Sequence, residues 1–325
     1  MKIGKKVLIS GILFMSCCGG IISSKLVNVQ TDYSVSEKQN REILQLNRLA
    51  KCADDTQIEN ISIENDNKKL FGKKRVAYSV ESQEYSENDI ERIAEGLHTK
   101  VKEDNKNEEE HIYKLTNNGV LVYYEGSGSI TYMIDDIAKG GNINEEKCVQ
   151  VAKQFLDTSK IITSEELHLA NVEVGCSAET NDGEKILSYQ ITFMKNSPEG
   201  VDGYAGVGPG ICIDVDAEYN ITGFVSVNKN ITELSDEYDT LTLSEAEDAM
   251  TNNEEVQIMT DGDGEVDSTL NDVTIDDVKV CLYSDPATVE QQYMAPYYVM
   301  TGTDDSGTSV EVTIPAVEES EIKIK

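Results

Sequence analysis

Residue types and spacing suggest coordination chemistry in one place, where Asp261, Asp263, Glu265 and Asp267 alternate along the chain and Asp272 stands further on. Acidic oxygens at alternate positions are what calcium needs, and Asp272 sits where the twelfth residue of an EF-hand loop would. Val266 replaces the glycine that makes such a loop's sharp turn, so the stretch reads as a solvated acidic linker and only weakly as a calcium site. The three histidines, His98, His111 and His168, have no second histidine four residues on and no cysteine close by, so they make no metal site. No Gly-x-Ser-x-Gly, His-Glu-x-x-His or Gly-x-x-x-x-Gly-Lys-Ser/Thr sequence occurs, so nucleophile, zinc and phosphate chemistry have no frame. Gly203, Gly206, Gly208 and Gly210 could cradle an anion, but no helix start follows them, and they read as a flexible hairpin loop. The expected catalytic set is empty, and no residue pattern asks for a cofactor.

The N-terminus carries the chemistry of export. Lys2, Lys5 and Lys6 form a positive flank, and Val7 to Phe14 form an apolar segment of secretory length. Phe14-Met15-Ser16-Cys17 looks like a bacterial lipobox, which makes Cys17 the expected lipidation site. An uncleaved anchor is the rival, because the apolar run continues about 18 residues past Lys6 and is just long enough to span a bilayer. Ordinary cleavage and release is the third reading. The first two leave the protein tethered on the outer side of a cell membrane.

Composition narrows the partners. The 325-residue chain has 60 acidic against 28 basic side chains and a net charge of −32, which repels phosphate backbones and excludes nucleic acid. With 39% hydrophobic residues it can still bury a core. Beyond the leader, cysteines 52, 148, 176, 212 and 281 are odd in number and scattered, without a Cys-x-x-Cys pair. They suit neither a disulfide framework nor zinc, and Cys148, Cys212 and Cys281 read as buried, unreactive thiols.

Periodicity then gives the elements. Residues 1–25 are the signal or anchor, and 26–72 a polar stalk with one helix from Val35 to about Lys51, carried by Ile43, Leu44, Leu46, Leu49 and Ala50. In 73–140, Ser86-x-x-Asp89 caps a helix with Ile90, Ile93, Ala94 and Leu97 on one face, and strands follow at 111–115, 120–124 and 130–134. In 141–232, Asn144 caps a helix with Cys148, Ala152, Phe155 and Leu156 on one face, ahead of strands near 169–176, 186–194, 211–215 and 221–227. In 233–325, Thr242-x-x-Glu245 is a capping box, and strands follow at 273–283, 296–301 and 310–314. A helix followed by antiparallel strands, three times over, predicts an α+β fold of consecutive modules, each with one helix on a sheet.

Asn144 to Leu156, Tyr189 to Phe193 and Ile211 to Asp216 are similar to the PepSY-like, cystatin-like modules of bacterial exported proteins. Thr242 to Ala249, Met294 to Met300 and Val312 to Val317 resemble the closing module of membrane-anchored regulators of the YycH, YycI and YpeB kind. These stretches lie within 144–317 and mark core positions rather than a site. The resemblance implies a non-catalytic extracytoplasmic module that restrains a membrane or envelope partner such as a sensor kinase. PepSY modules also occur in propeptides of secreted proteases, which implies an inhibitor or chaperone as the alternative.

Overall fold

The computed structural model describes residues 43–49, 56–107, 110–134, 143–163, 166–180, 183–252, 255–260 and 269–324. They form an α+β protein, mostly sheet, with three α-helices: α1 (Glu87–Gly96), α2 (Glu145–Ser159) and α3 (Leu243–Asn252). Its contacts divide into two units. One holds Ser79–Thr232 with Cys281–Met294, and the other Glu233–Val280, the described residues from Ala295 on and those before Ser79.

The capping residues read from sequence set the helix starts. Ser86 Oγ accepts from the Asp89 amide and the Asp89 carboxylate accepts from the Ser86 amide, so two otherwise unpaired amides are satisfied together. Asn144 Oδ1 accepts from the Lys147 amide at 2.8 Å. Thr242 and Glu245 repeat the reciprocal arrangement at α3. Both α1 and α2 stop on a residue in the left-handed region, His98 (φ +56°) and Lys160 (φ +52°).

In the first unit, α1 is followed by strands Val101–Lys106, Glu110–Leu115, Val120–Tyr124 and Ser129–Met133. After α2 come Leu167–Thr180, Gly183–Lys195, Gly210–Asp216 and Ile221–Val227. All eight make one antiparallel sheet in which each set of four runs inward from its edge, and the two fourth strands meet at the centre. Thr131 faces Val225 at the middle of that seam. The stretches 73–140 and 141–232, separate modules in the sequence reading, thus share one sheet and are related by an approximate two-fold axis through the seam. Aligning the two halves in sequence on the left-handed residues His98 and Lys160 matches Ile90, Ile93, Ala94 and Leu97 with Ala152, Phe155, Leu156 and Ser159, and Arg92 with Gln154.

Both helices cover the same side of this sheet. Their apolar stripes join Tyr113, Leu115, Leu121, Tyr123, Ile130, Ile191, Phe193, Ile213 and Phe224 in one core. Phe155 is 2% exposed, with its ring centroid 5.3 Å from that of Phe224. The helices approach closely at Gly96, where a Cβ would stand 3.1 Å from the Phe155 ring and 3.3 Å from Ser159 Cβ, so glycine sets their spacing.

The second unit has a different strand order. Its α3 packs with strands that run, across the sheet, Val273–Ser284 (of which the part up to Val280 belongs to this unit), Pro296–Thr303, Ser309–Pro315 and Gln257–Thr260, and Ile61–Ile63 pairs parallel to the first of them. The core holds Phe71, Ala246, Met250, Ile275, Tyr298, Met300, Val312 and Ile314. Within the predicted 35–51 helix, the described part is instead a strand. Leu44–Leu46 pairs parallel with Ile322–Ile324, burying Leu44 and Leu46 and leaving Gln45 out. Leu-Gln-Leu fits both periods, and a partner at the far end of the chain decides for period two.

Candidate functional site

Asp261, Asp263, Glu265 and Asp267 lie outside the described residues, as does Cys17. Asp272 is exposed with φ +48° and stands just before the Val273–Ser284 strand. Among the described residues no group of three His, Cys, Asp or Glu side chains is placed to hold a metal ion. The glycine-rich stretch is not a loose hairpin. Gly203–Gly206 is a strand parallel to Cys281–Ser284, a long-range pairing that local turn signals could not reveal. Cys148, Cys176 and Cys212 are free thiols. Burial pushes the Cys148 thiol up to about 11 and the Cys212 thiol up to about 12, which suppresses the reactive thiolate.

Two ionisable groups in the first unit went unnoticed in the sequence because only the fold takes them from water, Lys229 fully and Asp214 in part. Lys229 is 1% exposed. Its Nζ donates to Gln291 Oε1 at 2.7 Å, to the Asp285 carbonyl at 3.0 Å and to Ser284 Oγ at 3.3 Å. Burial lowers its pKa to about 8, against an opposing pull from the Asp285 carboxylate. The acceptors of its ammonium group all come from one segment, 284–291, so Lys229 pins that segment to the start of the Lys229–Asp239 strand. Asp214 lies on the helix-free side of the sheet, where Gln190 Nε2 donates to Oδ1 at 3.2 Å. Burial raises its pKa to about 6, and the Glu173 carboxylate pushes the same way.

The sheet offers two open surfaces. On the helix-free side one cross-strand row reads Asn105, Ile112, Val122, Thr131, Val225, Cys212, Thr192 and Asn171, with apolar groups half-buried rather than covered. At one edge Val101–Lys106 carries Lys102, Glu103, Asp104 and Lys106, which guard it against strand addition. The other edge, Leu167–Thr180, is long and exposes Leu169 and Val174.

Two cavities lie at the helix ends of the same unit. The larger, of about 580 Å³, is bounded by the end of α1 (Leu97, His98), by Gln154 and Phe155 of α2, by Tyr132, and by the 216–222 turn. The smaller, of about 200 Å³, is bounded by the end of α2 (Ser159, Lys160), by Asp89 and Arg92 of α1, and by Asn228. Their linings correspond in the same alignment, Leu97, His98, Val151, Gln154 and Phe155 of the larger matching Ser159, Lys160, Asp89, Arg92 and Ile93 of the smaller. In the second unit a groove of about 840 Å³ runs past Glu245, Asp248, Glu255, Glu318 and Glu319 over Leu241, Val317 and Ile322. Arg48 pairs with Glu255 there at 3.0 Å.

No family model matches the chain, and no curated protein does. Two solved structures are similar to it at a distance. An uncharacterized protein from Eubacterium rectale has 12% identity over 78% of this chain and 86% of its own, with a TM-score of 0.38. The C-terminal domain of Bacillus megaterium YpeB has 14% identity over 73% of this chain and 95% of its own, with a TM-score of 0.34. Among the described residues no helix is long and apolar enough to cross a membrane.

Proposed function

We propose that this protein is a membrane-anchored, extracytoplasmic and non-catalytic module that binds and regulates a membrane or cell-envelope partner such as a sensor kinase. The observation that carries this reading is the open edge strand Leu167–Thr180. A long strand at the end of the sheet, with exposed Leu169 (43%) and Val174 (36%), suits strand addition by an extended segment of another protein. Nucleophile, base and oxyanion donors do not converge around Lys229 or Asp214. The first is spent on structural acceptors, and the second faces glycines, with Gly175 and Gly223 beside its two oxygens. Anchoring rests on the Lys2, Lys5, Lys6 flank and Cys17. A propeptide-like inhibitor of an exported protease would use the same edge.

The test is affinity capture from cross-linked membranes with wild type and with the Leu169→Lys, Val174→Lys double variant. The partner should be lost from the variant while its melting temperature stays within a few degrees of wild type. Undiminished capture by a folded variant would refute the edge as the binding surface. Fatty-acid labelling that disappears in Cys17→Ala, together with protease shaving of intact cells that digests the chain beyond Gln30, tests the tether and its side of the membrane.

A further inference from the structure

The two symmetry-related cavities are not filled alike. In the smaller one Arg92 closes the end of α2: its Nε donates to the Ser159 carbonyl at 2.9 Å, and its Nη2 pairs with Asp89. A guanidinium there meets the negative end of the helix dipole and a carboxylate together. The last turn of α1 has no basic residue, and neither has that of α2. For α2 the cation comes from Arg92. For α1 the corresponding position is Gln154, which is neutral, and the space that an arginine would occupy is the larger cavity. Asp89 corresponds to Val151, so the larger cavity lacks that internal ion pair too.

What lines the larger cavity continues the analogy. Asp216 and Glu218 supply carboxylates, and among the described residues that line it there is no lysine or arginine. Asp216 is 2% exposed, and its Oδ1 already accepts from the amides of Glu218 and Asn220, which fixes the carboxylate in place. Tyr132, Phe155 and Tyr219 provide aromatic surface for an apolar stem, and the Tyr219 ring already holds a cation, with Lys147 Nζ 3.5 Å from its centroid.

We propose that the cavity at the end of α1 is a receptor for an arginine side chain of a partner polypeptide, the role that Arg92 plays internally at the end of α2. This deepens the binding function proposed above and rests on it for the source of the arginine. The acidity of the chain, −32 overall, favours a basic partner in the same sense.

The experiment uses the full chain and a fluorescein-labelled nonapeptide of Ala and Ser with one central arginine. The comparisons are the same peptide with citrulline, which keeps the shape and removes the charge, and free argininamide. The expected result is saturable binding of the arginine peptide, at least about tenfold weaker with citrulline, and abolished in Gln154→Arg, which plugs the cavity from within. Gln154 is exposed, so the variant should keep the wild-type circular dichroism spectrum. If it does not, Thr158→Trp at another exposed lining position fills the same space. Equal binding of citrulline, no binding, or binding that survives the filled cavity overturns the proposal. Argininamide binding as tightly as the peptide overturns the polypeptide source. Capture of the envelope partner that persists in Gln154→Arg while peptide binding is absent from wild type sinks the arginine receptor and leaves the edge-strand reading standing.

Discussion

Replacing Lys229 with methionine should cost little at neutral pH and much more at alkaline pH. Methionine keeps the length and volume of the side chain, so the change is electrostatic. Its pKa of about 8, against an ordinary value of 10.5, means that the folded protein holds a charge it would rather not hold. A depression of that size corresponds to ~3 kcal/mol disfavouring the ammonium form. Because the unfolded chain binds the proton more tightly, stability rises with pH between about 8 and 10.5, with the slope set by the difference in bound protons. Integrated from pH 7 to pH 10, wild type should gain ~2 kcal/mol that the methionine variant cannot gain. Opposing this at neutral pH are the hydrogen bonds lost from Gln291 Oε1, the Asp285 carbonyl and Ser284 Oγ. Each buried acceptor left unpaired costs about 1–3 kcal/mol, although Gln291 Oε1 keeps the Asp285 amide. Urea titrations of both proteins at pH 7, 8, 9 and 10 measure the difference directly, and taking the difference cancels the tyrosines and cysteines that titrate in both. Stability curves for the two proteins that run parallel across this range would refute the reasoning.

Asp214 gives the mirror prediction. Its pKa is raised to about 6, so the stability it lends below pH 4 is lost as pH climbs through 6, and Asp214→Asn should be more stable than wild type at pH 7 by up to ~3 kcal/mol and equal to it at pH 4. Chemical denaturation at the two pH values checks it, and an unchanged difference argues against a buried charge. Phe155→Ala should destabilise the protein by about 3–5 kcal/mol in urea unfolding, since the ring is enclosed between both helices and Phe224. Gly302→Ala should cost about 1–3 kcal/mol or prevent folding, because the added Cβ would lie 2.0 Å from the Thr274 carbonyl oxygen on the neighbouring strand. A Gly302→Ala protein as stable as wild type would show that the strands can part there at no cost.

Local signals made the modules legible. Ser86 with Asp89, Asn144, and Thr242 with Glu245 mark all three helix starts, and period-two runs gave Val120–Tyr124 and Ile221–Val227 to the residue. What stayed hidden depends on partners distant in sequence. Val101–Lys106 has one half-buried residue and five exposed ones, so no alternation betrays an edge strand. Nothing in Gly203–Gly206 announces a pairing with Cys281–Ser284, and nothing around Lys229 says that it will be buried. The cavities were invisible for the same reason, since they arise only when two halves with little identity are laid on one axis. Their correspondence rests on burial pattern and on the left-handed residues His98 and Lys160, which the sequence shows only as an ordinary histidine and an ordinary lysine.

The parallel pairing of Leu44–Leu46 with Ile322–Ile324 joins nearly the first and the last of the described residues. On a ribosome the two strands are separated by almost the whole time of synthesis. The second unit, whose sheet also needs Ser309–Pro315, can close only after that strand has emerged, whereas the eight-stranded sheet is complete once Val227 has emerged. A nascent chain therefore carries Leu44 and Leu46 without their strand partner until Ile322–Ile324 has emerged. A truncation that removes Ile322–Ile324 also removes the cover of Leu44 and Leu46.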